Sequence, residues 1–375
     1  MWNSSNASCA ALVAAAMFAG APALAQDGQW WPVKVYDASS GENVEVDYAP
    51  LDKASQPWNL CVLFPHMKDS FWVAVAYGIV TEAQRQGVNM TLYEAGGYEN
   101  LPRQLSQFDD CMAAGADAII VGPISEAGLS QKFKEGMGAG KPVIATVNPV
   151  PESDLTGKMY VEFDTMGEQT GDYLLQAVGD AGAKAVAFPG PAGSGWAESF
   201  YEGFKRALEG SNVEVLDEMF GDSGVGVQLA LIQDALQAYP EMDVIWGTAP
   251  TAEAAIGAVA EIGREGEVKI MSSYENQAML DAMNNGEILG FATQYPVLEG
   301  KVAIDMAVRA LQGEPVMKFV KPIPDMIAKD NVDQINMGLV LAPADWTPVY
   351  SVTQEPPRRS ALLRVDRPAA DLLIP

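Results

Sequence analysis

Chemistry that needs a histidine has one residue to work with, His66, which stands beside Lys68 and Asp69. A single imidazole excludes a multi-histidine metal centre. A catalytic triad built on it would need a nucleophile elbow of the G-x-S-x-G kind, and none occurs. His66 therefore reads as a loop residue. The glycine-rich run Pro189-Gly190-Pro191-Ala192-Gly193-Ser194-Gly195 lacks the Lys-Ser/Thr pair that reaches nucleotide phosphates, and its spacing is not G-x-G-x-x-G. It reads as a tight turn. The pair Asp109-Asp110 falls on a helical segment, where a solvated face explains it. Three cysteines exclude a disulfide-dense scaffold and a four-cysteine zinc site. No catalytic residue, metal ligand or cofactor is expected.

Aromatic residues give a different pattern. They cluster in or beside loops that follow apolar runs: Asp69-Ser70-Phe71-Trp72, Tyr98, Phe163, Trp196, Trp246-Gly247-Thr248 and Ser273-Tyr274-Glu275. Each one singly can be explained as core or as filling between lobes. As a set they sit at strand exits, where open parallel sheets bind their ligands. Aromatic walls recognise a stacked sugar or a methylated ammonium group, the latter through the negative ring face at roughly 0.5–2 kcal/mol per ring.

The elements that must position these loops alternate. Apolar runs at Leu60–Phe64, Asn89–Tyr93, Ala118–Val121 and Pro142–Thr146 are separated by segments with helical spacing, and the rhythm restarts after Val147. In the second series the strands are expected at Tyr160–Phe163, Ala185–Phe188, Val213–Leu216, Asp243–Trp246, Val268–Met271 and Ile288–Ala292, with a helix from Met166. Such alternation means parallel strands covered on both faces by helices. Two successive series mean an α/β fold of two doubly wound parallel-sheet lobes joined by a hinge.

Composition narrows the partners. The 375 residues are 49% hydrophobic and include 8 Trp, 12 Tyr and 12 Phe, enough for a large core. The net charge of −26 disfavours nucleic acid and anionic membrane surfaces. Residues 1–25 carry no charge, contain an apolar run from Cys9 to Ala19, and close on Ala23-Leu24-Ala25, a small-residue cleavage pattern. They are expected to be an export signal, although no Lys or Arg precedes the run, and no membrane insertion is expected after its removal. Cys61 and Cys111 then remain, either as a disulfide in an oxidising compartment or as two buried thiols.

Leu60 to Gln312 resembles the type I periplasmic binding proteins of the ribose/galactose-binding kind. The residues that carry the resemblance are Asp69-Ser70-Phe71-Trp72, Glu94-Ala95-Gly96-Gly97-Tyr98, Pro189-Gly190-Pro191 and Gly247-Thr248-Ala249 with Ala252-Glu253-Ala254-Ala255. They are similar to one branch, over about Trp30 to Tyr350 and including Asp345–Tyr350, and both cysteines fall where that branch has them. The resemblance implies a periplasmic protein that binds trimethylamine N-oxide (TMAO) and works with the periplasmic sensor domain of a histidine kinase. It implies ligand contacts at Trp72, Tyr98 and Tyr274, with Asp69 nearby. The branch has a Trp where this chain has Phe163, which keeps a π face and loses an N–H, so either the cage is adapted, with Trp196 counted in it, or the ligand is a related methylamine. Gln294, at an expected crossing between lobes, completes the set. Sugar binders of the family place an Arg in the loop that reads Gly193–Ala197 here, and an Asp where Tyr274 stands. Loss of both clamps would leave polyol hydroxyls unpaired, at about 1–3 kcal/mol each. The alternative is a sugar-binding component of an ABC importer. The expected division is leader 1–25, extension 26–58, first lobe 59–163 with 295–317, second lobe 164–294 with 318–346, and a strap and tail 347–375.

Overall fold

The computed structural model describes residues 29–354. The expected leader, the start of the extension and the tail beyond residue 354 lie outside the described residues. The first half of the chain runs β1 (Val33–Asp37), β2 (Val44–Tyr48), β3 (Asn59–Phe64), α1 (Ser70–Gln86), β4 (Asn89–Glu94), α2 (Leu101–Ala113), β5 (Ala118–Val121), α3 (Glu126–Gly138), β6 (Val143–Thr146) and β7 (Gly157–Met159). It continues with α4 (Phe163–Val178), β8 (Ala183–Phe188), α5 (Trp196–Leu208), β9 (Val213–Glu218), α6 (Val225–Ala238), β10 (Val244–Gly247), α7 (Ala249–Glu261), β11 (Lys269–Ser272), α8 (Gln277–Asn285) and β12 (Gly290–Thr293). The last elements are α9 (Pro296–Gln312), β13 (Phe319–Pro322), β14 (Asp325–Ala328) and β15 (Ser351–Val352).

The strands form two sheets, one per lobe. The first has the order β15-β4-β3-β5-β6-β7-β13-β1-β2 and the second β14-β12-β11-β10-β8-β9. The central strands are parallel and buried on both faces, which is why Leu60–Phe64 and Ala118–Val121 read as unbroken apolar runs. Antiparallel strands appear at the edges, where β15 joins β4, β1 joins β13 and β2, and β14 joins β12.

Three expectations are corrected. Residues 33–48 are not an extension apart from the lobes: they form a hairpin at the edge of the first sheet. Tyr48 anchors it by donating to Asp305 Oδ2 on α9 at 2.6 Å. Residues Tyr160–Phe163 are not a strand. The strand is Gly157–Met159, and Phe163 opens α4, whose first turn carries Asp164 where the helix dipole favours an acid. The third lobe crossing falls at 323–324 rather than near Met317, because Phe319–Pro322 pairs with β7 and β1 of the first sheet.

Two more crossings lie at 160–162 and at Gln294-Tyr295, and a fourth takes the chain from β14 in the second sheet back to β15 in the first. Tyr295 takes a left-handed φ of 59°, uncommon for a residue with a side chain, and serves as the N-cap of α9. Helix α9 then returns to pack on α1, and a Cβ on Gly78 would clash with the Val297 carbonyl oxygen, so the two backbones touch only because glycine stands there. Cys61 on β3 and Cys111 on α2 are joined as a disulfide, which fixes a sheet-to-helix contact in the first lobe.

Candidate functional site

The loop Pro65–Asp69 leaves β3 at its C-terminal end and delivers Asp69 as the N-cap of α1. Its Oδ1 accepts from the Phe71 backbone N–H at 3.0 Å, which sets the first turn and turns Phe71 and Trp72 inward. Tyr98 stands in the loop after β4. From the second lobe, Trp196 opens α5, and Phe200 lies one turn later on the same helical face. Tyr274 follows β11, and Gln294 follows β12.

These side chains enclose one cavity between the lobes. Its wall comprises His66, Phe71, Trp72, Tyr98, Val147, Asn148, Phe163, Trp196, Phe200, Ser223, Tyr274 and Gln294. Its free volume is ≈ 20 Å³, on the order of one water molecule and well below the roughly 300 Å³ at which pockets for larger ligands begin. The rings meet mostly edge to face: Phe71 and Tyr274 are 5.5 Å apart between centroids, Tyr98 and Trp196 5.9 Å, Phe163 and Phe200 5.2 Å. No Lys or Arg is among the lining residues. The one imidazole, His66, is held neutral, because burial and then Lys68 push its pKa down to about 4.

Polar contacts cross the cleft at three points. Tyr274 donates its hydroxyl to Asp69 Oδ2 at 2.9 Å, and Asn276 donates to Asp69 Oδ1 at 3.1 Å. Trp196 Nε1 donates to the Tyr98 hydroxyl oxygen at 3.2 Å. At the rim, Lys68 reaches Glu99 of its own lobe and Asp222 of the other, each at 3.7 Å. Burial raises the Asp69 carboxyl above its ordinary range, opposed by the Phe71 N–H, Asn276 and Tyr274, and raises both tyrosine hydroxyls, which stay protonated. The cleft is thus shut and its electrostatics are those of an acid behind a ring of aromatics.

Of the residues singled out in the sequence, Trp72, Tyr98, Phe163, Trp196, Tyr274 and Gln294 line this cavity. Asp69 stands behind the wall and acts on it through Tyr274. Trp246, also placed at a strand exit, belongs elsewhere: it is fully buried in β10, stacked 4.3 Å from Phe204, with its N–H on Thr170 Oγ1. His66, read as a plain loop residue, is a wall of the cavity. Phe200 is a wall residue that sequence reasoning misses, although it lies four residues after Trp196, a spacing that places both on one helix face. Val147, Asn148 and Ser223 carry no local signal. Val147 adopts a φ of 67°, a genuine outlier for a β-branched residue, held at the site by its N–H on the Met159 carbonyl at 2.8 Å.

Two sheets with their strand ends facing, four chain crossings and an aromatic cavity between them define a two-lobed solute-binding protein. The chain belongs to the periplasmic binding protein family, whose domain model matches residues 60–315. It is 33% identical over 298 residues to the periplasmic protein TorT of Escherichia coli K12, covering 80% of this chain and 86% of that one. Its structure resembles that of TorT in complex with the TorS sensor domain in the presence of TMAO, with 28% identity and a TM-score of 0.72 over 78% of this chain and 99% of that chain. It also resembles an ABC transporter solute-binding protein from Bradyrhizobium sp. BTAi1 with bound bis-tris, with 40% identity and a TM-score of 0.75 over 86% and 99% of the two chains. The periplasm, expected from the sequence, is the location of the family and of TorT.

Proposed function

We propose that this protein binds TMAO or a closely related methylated amine between its lobes, without transforming it, and presents the closed form to the periplasmic sensor domain of a histidine kinase. The observation that carries the ligand class is the lining of the cavity, aromatic on most sides and free of basic side chains. Methyl groups on a positively polarised nitrogen fit such a wall, since each ring face attracts positive charge and none of the methyls needs a hydrogen bond. Asp69 adds negative potential from behind Tyr274. The ligand-contact set is Trp72, Tyr98, Phe163, Trp196, Tyr274 and Gln294. Gln294 supplies a polar wall, for its Oε1 is buried without a partner. The sensor partner rests on the likeness to TorT, a protein solved in complex with the TorS sensor domain.

Titration calorimetry with TMAO, trimethylamine and ribose tests the ligand. Binding of either methylated compound at micromolar strength with none for ribose is the expected result. Ribose binding with no response to both methyl compounds would replace this reading with the sugar importer. A second reading, the solute-binding subunit of an importer for a larger amine, is favoured by the 40% identical Bradyrhizobium protein and its bound bis-tris, a hydroxylated tertiary amine. The same titration with bis-tris, in a buffer free of it, separates that case. A pull-down with the cognate sensor domain, with and without ligand, tests the partner: capture in either state is the expected result, and capture in neither overturns it.

A further inference from the structure

We propose that Trp196 is a positioning residue: by donating its indole N–H across the shut cleft to the Tyr98 oxygen, it forces the Tyr98 hydroxyl to act as a hydrogen-bond donor toward the ligand, and so selects an oxygen-bearing guest. The inference rests on the ligand reading given above and adds to it which group the protein uses to tell an amine oxide from a methylated ammonium ion.

A phenol oxygen has two lone pairs and one proton. At Tyr98 both lone pairs are taken by N–H donors. Asn148 Nδ2 lies 2.9 Å from it and also donates to the Pro123 carbonyl at 2.8 Å. That carbonyl only accepts, so it fixes which end of the Asn148 amide faces the tyrosine. Asn148 Oδ1, at 3.3 Å, is then a poor acceptor for the hydroxyl. The second lone pair receives Trp196 Nε1 at 3.2 Å. What remains is the proton, and Tyr98 lines the cavity. Burial keeps that proton on the oxygen.

Tyr274 has the opposite polarity. Its proton is committed to the Asp69 carboxylate, which can only accept, so this hydroxyl offers the cavity lone pairs alone. One tyrosine donates and the other accepts. An N-oxide oxygen needs the donor; a quaternary ammonium ion uses neither. The device exists only when the lobes meet, because Tyr98 belongs to the first lobe and Trp196 to the second. Packing holds the indole in this orientation. Phe200 and Tyr274 stand edge-on to it at 6.0 and 6.2 Å, and Gly190, at φ 120°, leaves the space its ring occupies.

The test is calorimetry of TMAO and of tetramethylammonium on the full chain, wild type against Trp196→Phe, which keeps a ring and drops the N–H. The expected result is a loss of about tenfold in TMAO affinity, the effect of one buried hydrogen bond, with a clearly smaller loss for tetramethylammonium from the exchange of one ring for another. Tyr98→Phe should show the same selective loss, and adding Trp196→Phe to it should cost TMAO nothing more. Equal weakening of both ligands in Trp196→Phe, unchanged TMAO affinity, or additive losses in the double variant would each overturn the inference. If Trp196→Phe fails to melt cooperatively, Tyr98→Phe carries the test alone, and equal weakening of both ligands there overturns it. Wild-type protein that binds neither compound would instead overturn the ligand reading itself, a result visible before any variant is made.

Discussion

Asp69 shows how one side chain serves fold and site together. One oxygen caps α1 and takes Asn276, the other takes Tyr274, so a buried carboxylate ties helix start to opposite lobe with all its charge satisfied by neutral donors. Removing one donor leaves the group less compensated, and a buried charge is costly to leave so. Tyr274→Phe keeps the ring and deletes the donor. It should lower unfolding stability by about 1–3 kcal/mol in urea denaturation at pH 7. Asp69→Asn retains a good N-cap while removing the charge. A double-mutant cycle of the two substitutions should give a coupling of about 0.5–3 kcal/mol. Coupling near zero would mean that the bond across the cleft contributes nothing. At the aromatic wall, Trp72→Ala should weaken ligand binding by roughly 2 kcal/mol, seen as a shift of the calorimetric isotherm.

Among the elements, the crossing from β12 to α9 holds an unusual pair of acids. Glu275 is fully buried, with Oε1 accepting from Thr293 Oγ1 and the Gln294 N–H, and Oε2 without a partner. Glu299, one turn into α9, is fully buried with both oxygens unpartnered. Burial pushes Glu275 up to about 7, and burial followed by the nearness of Glu275 raises Glu299 well above its ordinary range. A raised acid holds its proton in the folded chain after the unfolded chain has released it. Its contribution is therefore full below about pH 4.5, falls as pH rises through the window to about 7, and is gone above it. His66 works the other way, losing stability as pH falls from 6.5 toward about 4. Glu275→Gln keeps the acceptor for Thr293 and removes the titration. Between pH 5 and pH 8 the wild type should lose about 3 kcal/mol more than this variant, measured by denaturant unfolding at each pH. Parallel pH profiles for the two proteins would show that Glu275 does not carry the effect.

For the molecule as a whole, what the sequence discloses depends on where the physics is local. Parallel strands buried on both faces announce themselves as apolar runs, and the two-lobe α/β fold follows from their alternation with helices. The hairpin Val33–Tyr48 also alternates apolar and polar residues, but its charges at Lys34, Glu45 and Asp47 read as an extension until β13 is seen to pair with it. Trp196 and Trp246 look alike at strand exits; only packing separates them, since Trp246 lies within its strand beneath α5 while Trp196 opens a helix at the cleft. Asn148 and Ser223 reach the cavity through long-range geometry that no local pattern encodes. The same geometry argues for motion. Four crossings join the lobes, and the polar contacts that hold the cleft shut are few: two hydrogen bonds to Asp69, one between Trp196 and Tyr98, and a half-exposed Lys68 bridge worth about 0–1 kcal/mol. A guest touching both lobes adds its own binding energy to the shut state alone and shifts the population toward it. Small-angle scattering should therefore show a smaller radius of gyration at saturating TMAO than without it, and 100-fold excess over Kd should stabilise the fold by about 2.7 kcal/mol in thermal melts. Asp69→Ala, which removes two of the cross-cleft bonds, should start from a larger radius and still contract with ligand. Identical scattering curves with and without TMAO, alongside a clear calorimetric binding signal, would mean that the guest enters lobes already shut and that closure is not the event a partner reads.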